Sequence, residues 1–416
     1  MRLALVILLI AAILITGCSG NGARETDEVA WVISIGVDKA DDGELAVTYR
    51  IAIPIAQSAG AESGGAEKET STLVTIKAPT LAEARNLLNT SVSRAVNLSH
   101  VTVIAISEEL ARQGVQDLLG PLLRFREFRG TVFLIVCRGR AQDIFKANKP
   151  KIETQISRYI YNSMHRNSET SYYLPVTLHE FYIRLKTNSG APLAVGYGLN
   201  PLSGQDQPSG TEPVGKTKTY LPGDLPRQGG DPVEFTGMAV FKADKMVGYL
   251  DSGETRALSI LLNKYNNGFL SVPDPLAKAH LVTMSMRNGR APKIAIDISG
   301  EKPAIHINIL LEGEITGHPS GIAYEKSDYL PLLEAQVSNL FQRQIADMLV
   351  RVQEWGTDVA DFGYFIRPKF MTMDELKDYN WDRQFPQATV TIKVKTELRR
   401  AGLMRRTQEI RKEAKD

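Results

Sequence analysis

The chain has 416 residues, 43% hydrophobic and 23% charged, with 49 basic residues against 47 acidic ones for a net charge of +2. That length implies two or three domains, and the balanced charge argues against a dedicated nucleic-acid surface, which shows as a basic stripe or a high domain pI. Two cysteines exclude a disulfide framework.

MRLALVILLIAAILITGC opens the chain with one basic residue, Arg2, and an unbroken apolar run from Leu3 to Ile15. As a helix this run measures roughly 20 Å, short of the ~30 Å hydrocarbon core, so it reads as a signal-peptide core and not a transmembrane span. Leu14-Ile15-Thr16-Gly17-Cys18 looks like a bacterial lipobox. Gly17 is the small residue before the cleavage point, and the Cys18 thiol takes a thioether-linked diacylglycerol. An ordinary secretory signal with a chance cysteine is the bland alternative. The position of Cys18 and the polar SGNGARETDE after it favour the lipoprotein reading. Residues 1–17 are then the signal peptide and 18–28 the lipidated tether. The ten residues from Ser19 to Glu28 reach at most about 35 Å, which keeps the first domain close to the bilayer.

Trp31–Val37 and Glu44–Ile53 alternate apolar with small or polar residues around an Asp-Gly turn, predicting a hairpin. Residues 56–71 are small, polar and aperiodic, a loop. A β–α–β series follows, with strands at Thr72–Lys77, Val101–Ile106 and Thr131–Cys137. Thr80-Leu-Ala-Glu83 predicts a capping box for a helix to about Ala95, and Ser107 caps another. Ala141–Leu185 reads as mixed and helical, and residues 187–233 cluster Gly, Pro, Ser and Asp without a period.

Beyond them, Glu234–Phe241 and Met246–Leu250 form strands about a turn at Lys242–Lys245. Asp251-Ser-Gly-Glu254 predicts a second capping box, for a helix to about Lys264. Antiparallel strands are expected at His280–Arg287, Lys293–Ser299 and Ala304–Glu314. Leu333, Val337, Leu340, Ile345, Leu349 and Val352 recur at helical spacing across 328–355, and Thr389–Leu398 alternates again. The fold class is α+β, with mixed and antiparallel sheets. Its domains are an N-terminal mixed α/β region at 29–190 (a split near 140 left open), a flexible linker at 191–233, a C-terminal α+β domain at 234–405 and a charged tail at 406–416.

No catalytic, cofactor or metal site emerges. GTEPVGKT at 210–217 spells a phosphate loop through Gly210, Gly215, Lys216 and Thr217. It lacks the preceding strand and following helix that such a loop requires, and Pro213 removes an amide donor. Asp38, Asp41 and Asp42 suggest a calcium loop, but Ala40 and Tyr49 stand where ligands are needed, and a turn explains them. The six histidines contain no metal-type pair, and His306 sits on the polar face of its strand. Cys137 ends an apolar run and reads as a buried, inert thiol. Two basic clusters, Arg124–Arg129 and Leu398–Arg406, fit either a solvated edge with an internal Arg–Glu pair or contact with acidic headgroups or a partner.

Several stretches together resemble the C-subunit lipoproteins of bacterial spore germinant receptors, the GerAC family. They are the lipobox followed by WVISIGVDKADDGELAVTYRIAIP, the block NLSHVTVIAISEELARQGVQDLLGPLLRFREFRGTVFLIVCRGRAQDIF, and EFTGMAVFKADKMVGYLDSGETRALSILLNK. Arg124, Glu127 and Arg129 match an R-x-x-E-x-R element, with Phe125 in place of an expected aspartate. Asp358, Phe362, Gly363, Trp381 and the closing strand to Gly402 resemble the family's C-terminal end. The loop at 56–71 and the stretch around 200–230 do not match.

The resemblance implies about three domains and a non-enzymatic subunit, anchored through lipid on Cys18 to the outer face of the inner spore membrane. It implies partnership with a channel-forming A subunit and a transporter-like B subunit in the response to nutrients. No ligand or catalytic residue carries over. The alternative is a solute-binding lipoprotein delivering a ligand to a transporter, for which two similar α/β lobes are expected; a secreted hydrolase or NTPase is a third class.

Overall fold

The computed structural model describes residues 28–53, 70–150, 152–153, 155–187, 190–201, 218–324 and 328–400. Gly17 and Cys18, most of the 56–71 loop, GTEPVGKT and the chain after 400 lie outside the described residues. Two sheets organise the rest, nine-stranded and five-stranded.

The first sheet begins with the expected hairpin, β1 (Val29–Lys39) against β2 (Leu45–Ala52), with Val37 opposite Val47. Asp42 and Gly43 turn it at φ 67° and 80°, left-handed angles that aspartate and glycine tolerate. β3 (Ser71–Ala78) adds antiparallel to β2. The Thr80 hydroxyl accepts from Glu83 N at 3.2 Å and opens α1 (Leu81–Ser91), which buries Ala84 and Leu88 one turn apart. Short β4 (Ala95–Asn97) runs parallel beside the start of β1. β5 (Val103–Ser107) lies parallel to β1 with every residue buried. Ser107 then caps α2 (Glu108–Gln113), followed by α3 (Gln116–Arg124) and β6 (Phe133–Arg138), parallel to β5. Strands buried on both faces read as continuous apolar runs, which is why VIAIS and FLIVC carry little polar alternation. Asp38, at the end of β1, accepts from Ala141 N and Gln142 N and so caps α4 (Ala141–Ala147). α5 (Ile156–His165), α6 (Asn167–Thr170) and α7 (Leu178–Lys186) follow.

The structure departs from the flexible linker expected over 191–233. Leu193–Leu199 is a strand, β7, parallel to β6 and buried except at its last residue. Its glycines disguise it. A Cβ on Gly198 would stand 2.3 Å from Gly223 N, and one on Gly196 2.4 Å from Thr236 O. These glycines mark close backbone approach, not a loop. β8 (Val233–Lys242) and β9 (Lys245–Leu250) then pair antiparallel onto β7, giving the order β3-β2-β1-β5-β6-β7-β8-β9. The first strands of the expected C-terminal domain therefore complete the N-terminal sheet.

α8 (Ser252–Leu261) links the two sheets and is buried nearly all round, packed between β8 and the long helix α9 (Leu330–Trp355). Its capping box is complete: Asp251 accepts from Gly253 N and Glu254 N, and Glu254 accepts from Asp251 N at 2.9 Å. The same Glu254 takes Arg351 of α9 at 2.8 Å.

The second sheet holds β10 (Gly268–Pro273), β11 (Leu281–Asn288), β12 (Lys293–Asp297), β13 (Ala304–Gly317) and β14 (Thr389–Arg400). β13 pairs antiparallel with β12 along its first half and with β11 along its second. β14 lies parallel on its other side. A parallel partner requires a crossover, supplied by α9 and the short α10 (Phe362–Ile366), α11 (Met373–Tyr379) and α12 (Trp381–Gln384). α9 lays Leu333, Val337, Phe341, Ile345, Leu349 and Val352 onto one side of the sheet, whose opposite side is open among the described residues, with Lys293, His306, Asn308 and Lys393 exposed there.

Candidate interaction site at the junction of the two sheets

α9 ends at Gly356 in the left-handed conformation (φ 65°), with its amide bonded to Gln353 O. Two residues on, Asp358 is 4% exposed. Its Oδ2 accepts from Gly363 N at 2.7 Å and from Trp381 Nε1 at 2.8 Å, and its Oδ1 accepts from Ala360 N at 3.2 Å. Burial raises the Asp358 carboxyl to about 6, against the pull of these donors. Phe362 packs near Phe385, ring centroids 6.0 Å apart. Asp358, Phe362, Gly363 and Trp381 thus form one buried knot.

The knot reaches across to the first sheet. The Asp358 carbonyl accepts from Ala191 N at 2.6 Å, just before β7. Asp361, at φ 60°, receives Arg184 Nη2 of α7 at 2.7 Å, while Arg184 Nη1 donates to Ala191 O at 3.0 Å. Burial pushes the Asp361 carboxyl up, and the charges of Arg184 and Lys264 pull it back. Gly190 makes the approach possible, since a Cβ there would fall 1.9 Å from Asp361 Oδ1. Sequence reasoning did not find Arg184, Gly190 or Asp361, and none carries a local signal.

Above the ion pair lies an open groove of about 340 Å³, lined by His179, Glu180, Ile183, Arg184, Asp361, Tyr364 and Phe365. Ile183 is 45% exposed and Tyr364 63%. Glu180 is committed to α7, closing a capping box with Thr177. Apolar walls over a satisfied ion pair suit docking of a partner side chain better than bond-making chemistry.

The other residues singled out in the sequence fall elsewhere. Glu127 binds Arg85 of α1 through Oε1 and Leu98 N through Oε2 at 3.0 Å, so its partner lies outside its own cluster. Arg85 also stands over the Phe125 ring, 5.1 Å from its centroid. Arg124 and Arg129 are exposed. Beside this clamp a cavity of about 30 Å³ between Tyr49, Arg85 and Phe125 has room for about one water. Cys137 is buried, and burial drives its thiol pKa well up, away from reactivity. His306 is exposed on the open side of the second sheet. Among the described residues, no group of three or more His, Cys, Asp or Glu is placed to hold a metal, and no helix is long and apolar enough to cross a membrane.

Comparison with known proteins places these features in a family. Residues 22–196 match the spore germination protein N-terminal domain, and residues 236–402 match the spore germination B3/GerAC-like C-terminal domain. The division between the two falls between β7 and β8, neighbours in one sheet. The chain is 25% identical to the putative spore germination protein YfkR of Bacillus subtilis (strain 168), covering 96% of each. It is 24% identical to spore germination protein KC of the same organism, covering 99% of this chain and 98% of that one. The crystal structure of the GerBC protein shares the fold, with a TM-score of 0.54 at 19% identity over 88% of this chain and 96% of that one. With both domains matched in order, the chain belongs to the GerAC family of spore germination proteins.

Proposed function

We propose that this chain is the lipid-tethered, non-catalytic C subunit of a spore germinant receptor, required for the response to nutrient germinants. Cleavage between Gly17 and Cys18 and acylation of Cys18 hold it on the outer face of the inner spore membrane. There it acts as a scaffold for the A and B membrane subunits. The observation that carries the scaffold role is the junction: a buried knot and an ion pair weld the two family domains and leave an aromatic-walled groove of about 340 Å³ facing outward. The relatives with long coverage are themselves named as spore germination proteins, which supports the setting. A solute-binding lipoprotein would present two similar α/β lobes; the second sheet, antiparallel except for β14, does not resemble the first.

The decisive experiment is co-purification of the A and B subunits with the full chain from spore membranes in mild detergent. Tyr364→Ser with Phe365→Ser is expected to abolish co-purification and slow germination while leaving the chain folded and membrane-bound. Undiminished co-purification would exclude the groove as the docking site. Cys18→Ala tests the anchor separately: the chain should leave the membrane pellet in a strain lacking the partner subunits.

A further inference from the structure

The open side of the second sheet carries an arrangement of charge that the junction does not use. α9 covers only the other side, where Ile305, Ile307, Ile309 and Leu311 are buried. Strand register sets the exposed side in rows. Lys293 of β12, Asn308 of β13 and Lys393 of β14 share one row. Ala295, His306 and Thr391 form the row on one side of it, and Leu310 with Lys395 the row on the other. Neighbouring strands are about 4.8 Å apart, which brings the backbones of Lys293 and Lys393 within roughly 10 Å. Both lysines are exposed, and among the described residues neither has an ion-pair partner.

Among the described residues, carboxylates stand only at the ends of this block. Asp297, at one end, accepts from Ser299 N and Oγ, with Lys369 and His306 close enough to stabilise its charge. At the other end Glu312 meets Arg287 at 3.2 Å and Arg399 at 2.6 Å, and Glu397 meets Lys395 at 2.8 Å. Glu314 lies farther along β13, opposite Ser285. The middle of the face is left with uncompensated lysine charge.

We propose that this face lies against the phosphates of an anionic lipid bilayer. It is backed by a packed helix, and half-buried Leu310 is the apolar side chain larger than alanine in its central rows. Exposed Phe269 stands on the same side but out on β10, in register with Ser285 and away from the lysine rows. Protein–protein interface cores are enriched in aromatic residues and depleted in lysine, so the lysine rows themselves suit a protein partner poorly. Attraction of lysines to anionic headgroups needs neither a fitted pocket nor dehydration. The inference rests on the lipid tether, which keeps the first strand within about 35 Å of the bilayer.

The test uses the full acylated chain on vesicles of phosphatidylcholine, with or without phosphatidylglycerol. Flotation with both vesicle types reports the tether by itself. Acetylation of each lysine, read by mass spectrometry, then reports the face. A negative surface keeps nearby amines protonated, so Lys293 and Lys393 should acetylate about three- to fivefold more slowly on the anionic vesicles. High salt should erase the difference, and Lys146 on α4 should not change. In the Lys293→Glu, Lys393→Glu variant the slowing at Lys395 should vanish. Equal acetylation of Lys293 and Lys393 on both vesicle types, with flotation intact, overturns the proposal and leaves the face to an acidic partner protein. Slowing confined to lysines elsewhere also overturns it.

Discussion

Asp358 holds its charge among three N–H donors with no cation bonded to it. Burial nevertheless lifts its carboxyl from the ordinary 3.8 to about 6. A folded state that binds the proton more tightly than the unfolded chain is favoured by protonation. The stabilisation is therefore fully present below about pH 4 and lost as the pH rises through about 6, an effect on the order of 3 kcal/mol. Urea unfolding across that window should show the wild type losing stability, with a shallower loss for Asp358→Asn. Trp381→Phe removes a donor to the carboxylate and should cost about 1.5–3 kcal/mol. Because Trp381 Nε1 serves the charged form, that cost should be larger above pH 6 than below about pH 4. Equal costs at both would mean that Asp358 remains ionised throughout.

Among the elements, α7 and the turn into α10 meet through Arg184 and Asp361, with side-chain exposures of 17% and 34%. A double-mutant cycle on Arg184→Ala and Asp361→Ala should return a coupling of about 1 kcal/mol or more, above that of most surface pairs. Gly190→Ala forces its methyl group onto Asp361 Oδ1 and should destabilise by about 1–3 kcal/mol, measured as a lower melting temperature. If Asp361 is first shortened to Ala, the penalty of Gly190→Ala should largely disappear.

The elements readable in the sequence are those whose side chains repeat. β13 alternates isoleucines, α9 recurs at helical spacing, and Asp251 and Glu254 announce a helix start that the structure completes. β7 escaped notice because Gly196 and Gly198, required for tight packing, carry the composition of a loop. α10, α11 and α12 run four to seven residues, too short for a period to register. The site was visible only as separate letters. Asp358 and Trp381 are 23 residues apart and Arg184 and Asp361 177 apart, and no local pattern connects such pairs.

For the whole molecule, one sheet spans the division between the two family domains, and α8 is buried between that sheet and α9. Unfolding should therefore be cooperative across both, and calorimetry should show one principal transition. Two well-separated transitions would mean that the junction contributes little. Asp38, Asp231, Glu254, Asp361 and Asp382 share with Asp358 a carboxyl raised chiefly by burial. Their contributions add with the same sign, each fading as the pH rises, and the lowered carboxyls of Asp274, Asp297 and Glu397 act against them.

The placement of β8 and β9 also bears on how members of this family can be recombined. A chimera spliced near residue 215, where the two domain matches part, would take β7 from one parent and β8 from the other. Every bond between those strands, and the seat of Pro222 against Gly196, would then join sequences that did not evolve together. A splice just after Leu250 keeps the whole sheet from one parent and transfers α8, the second sheet and the knot as a set. If germinant response follows one half of the chain, exchange at Leu250 is where that inheritance can be read without breaking the fold.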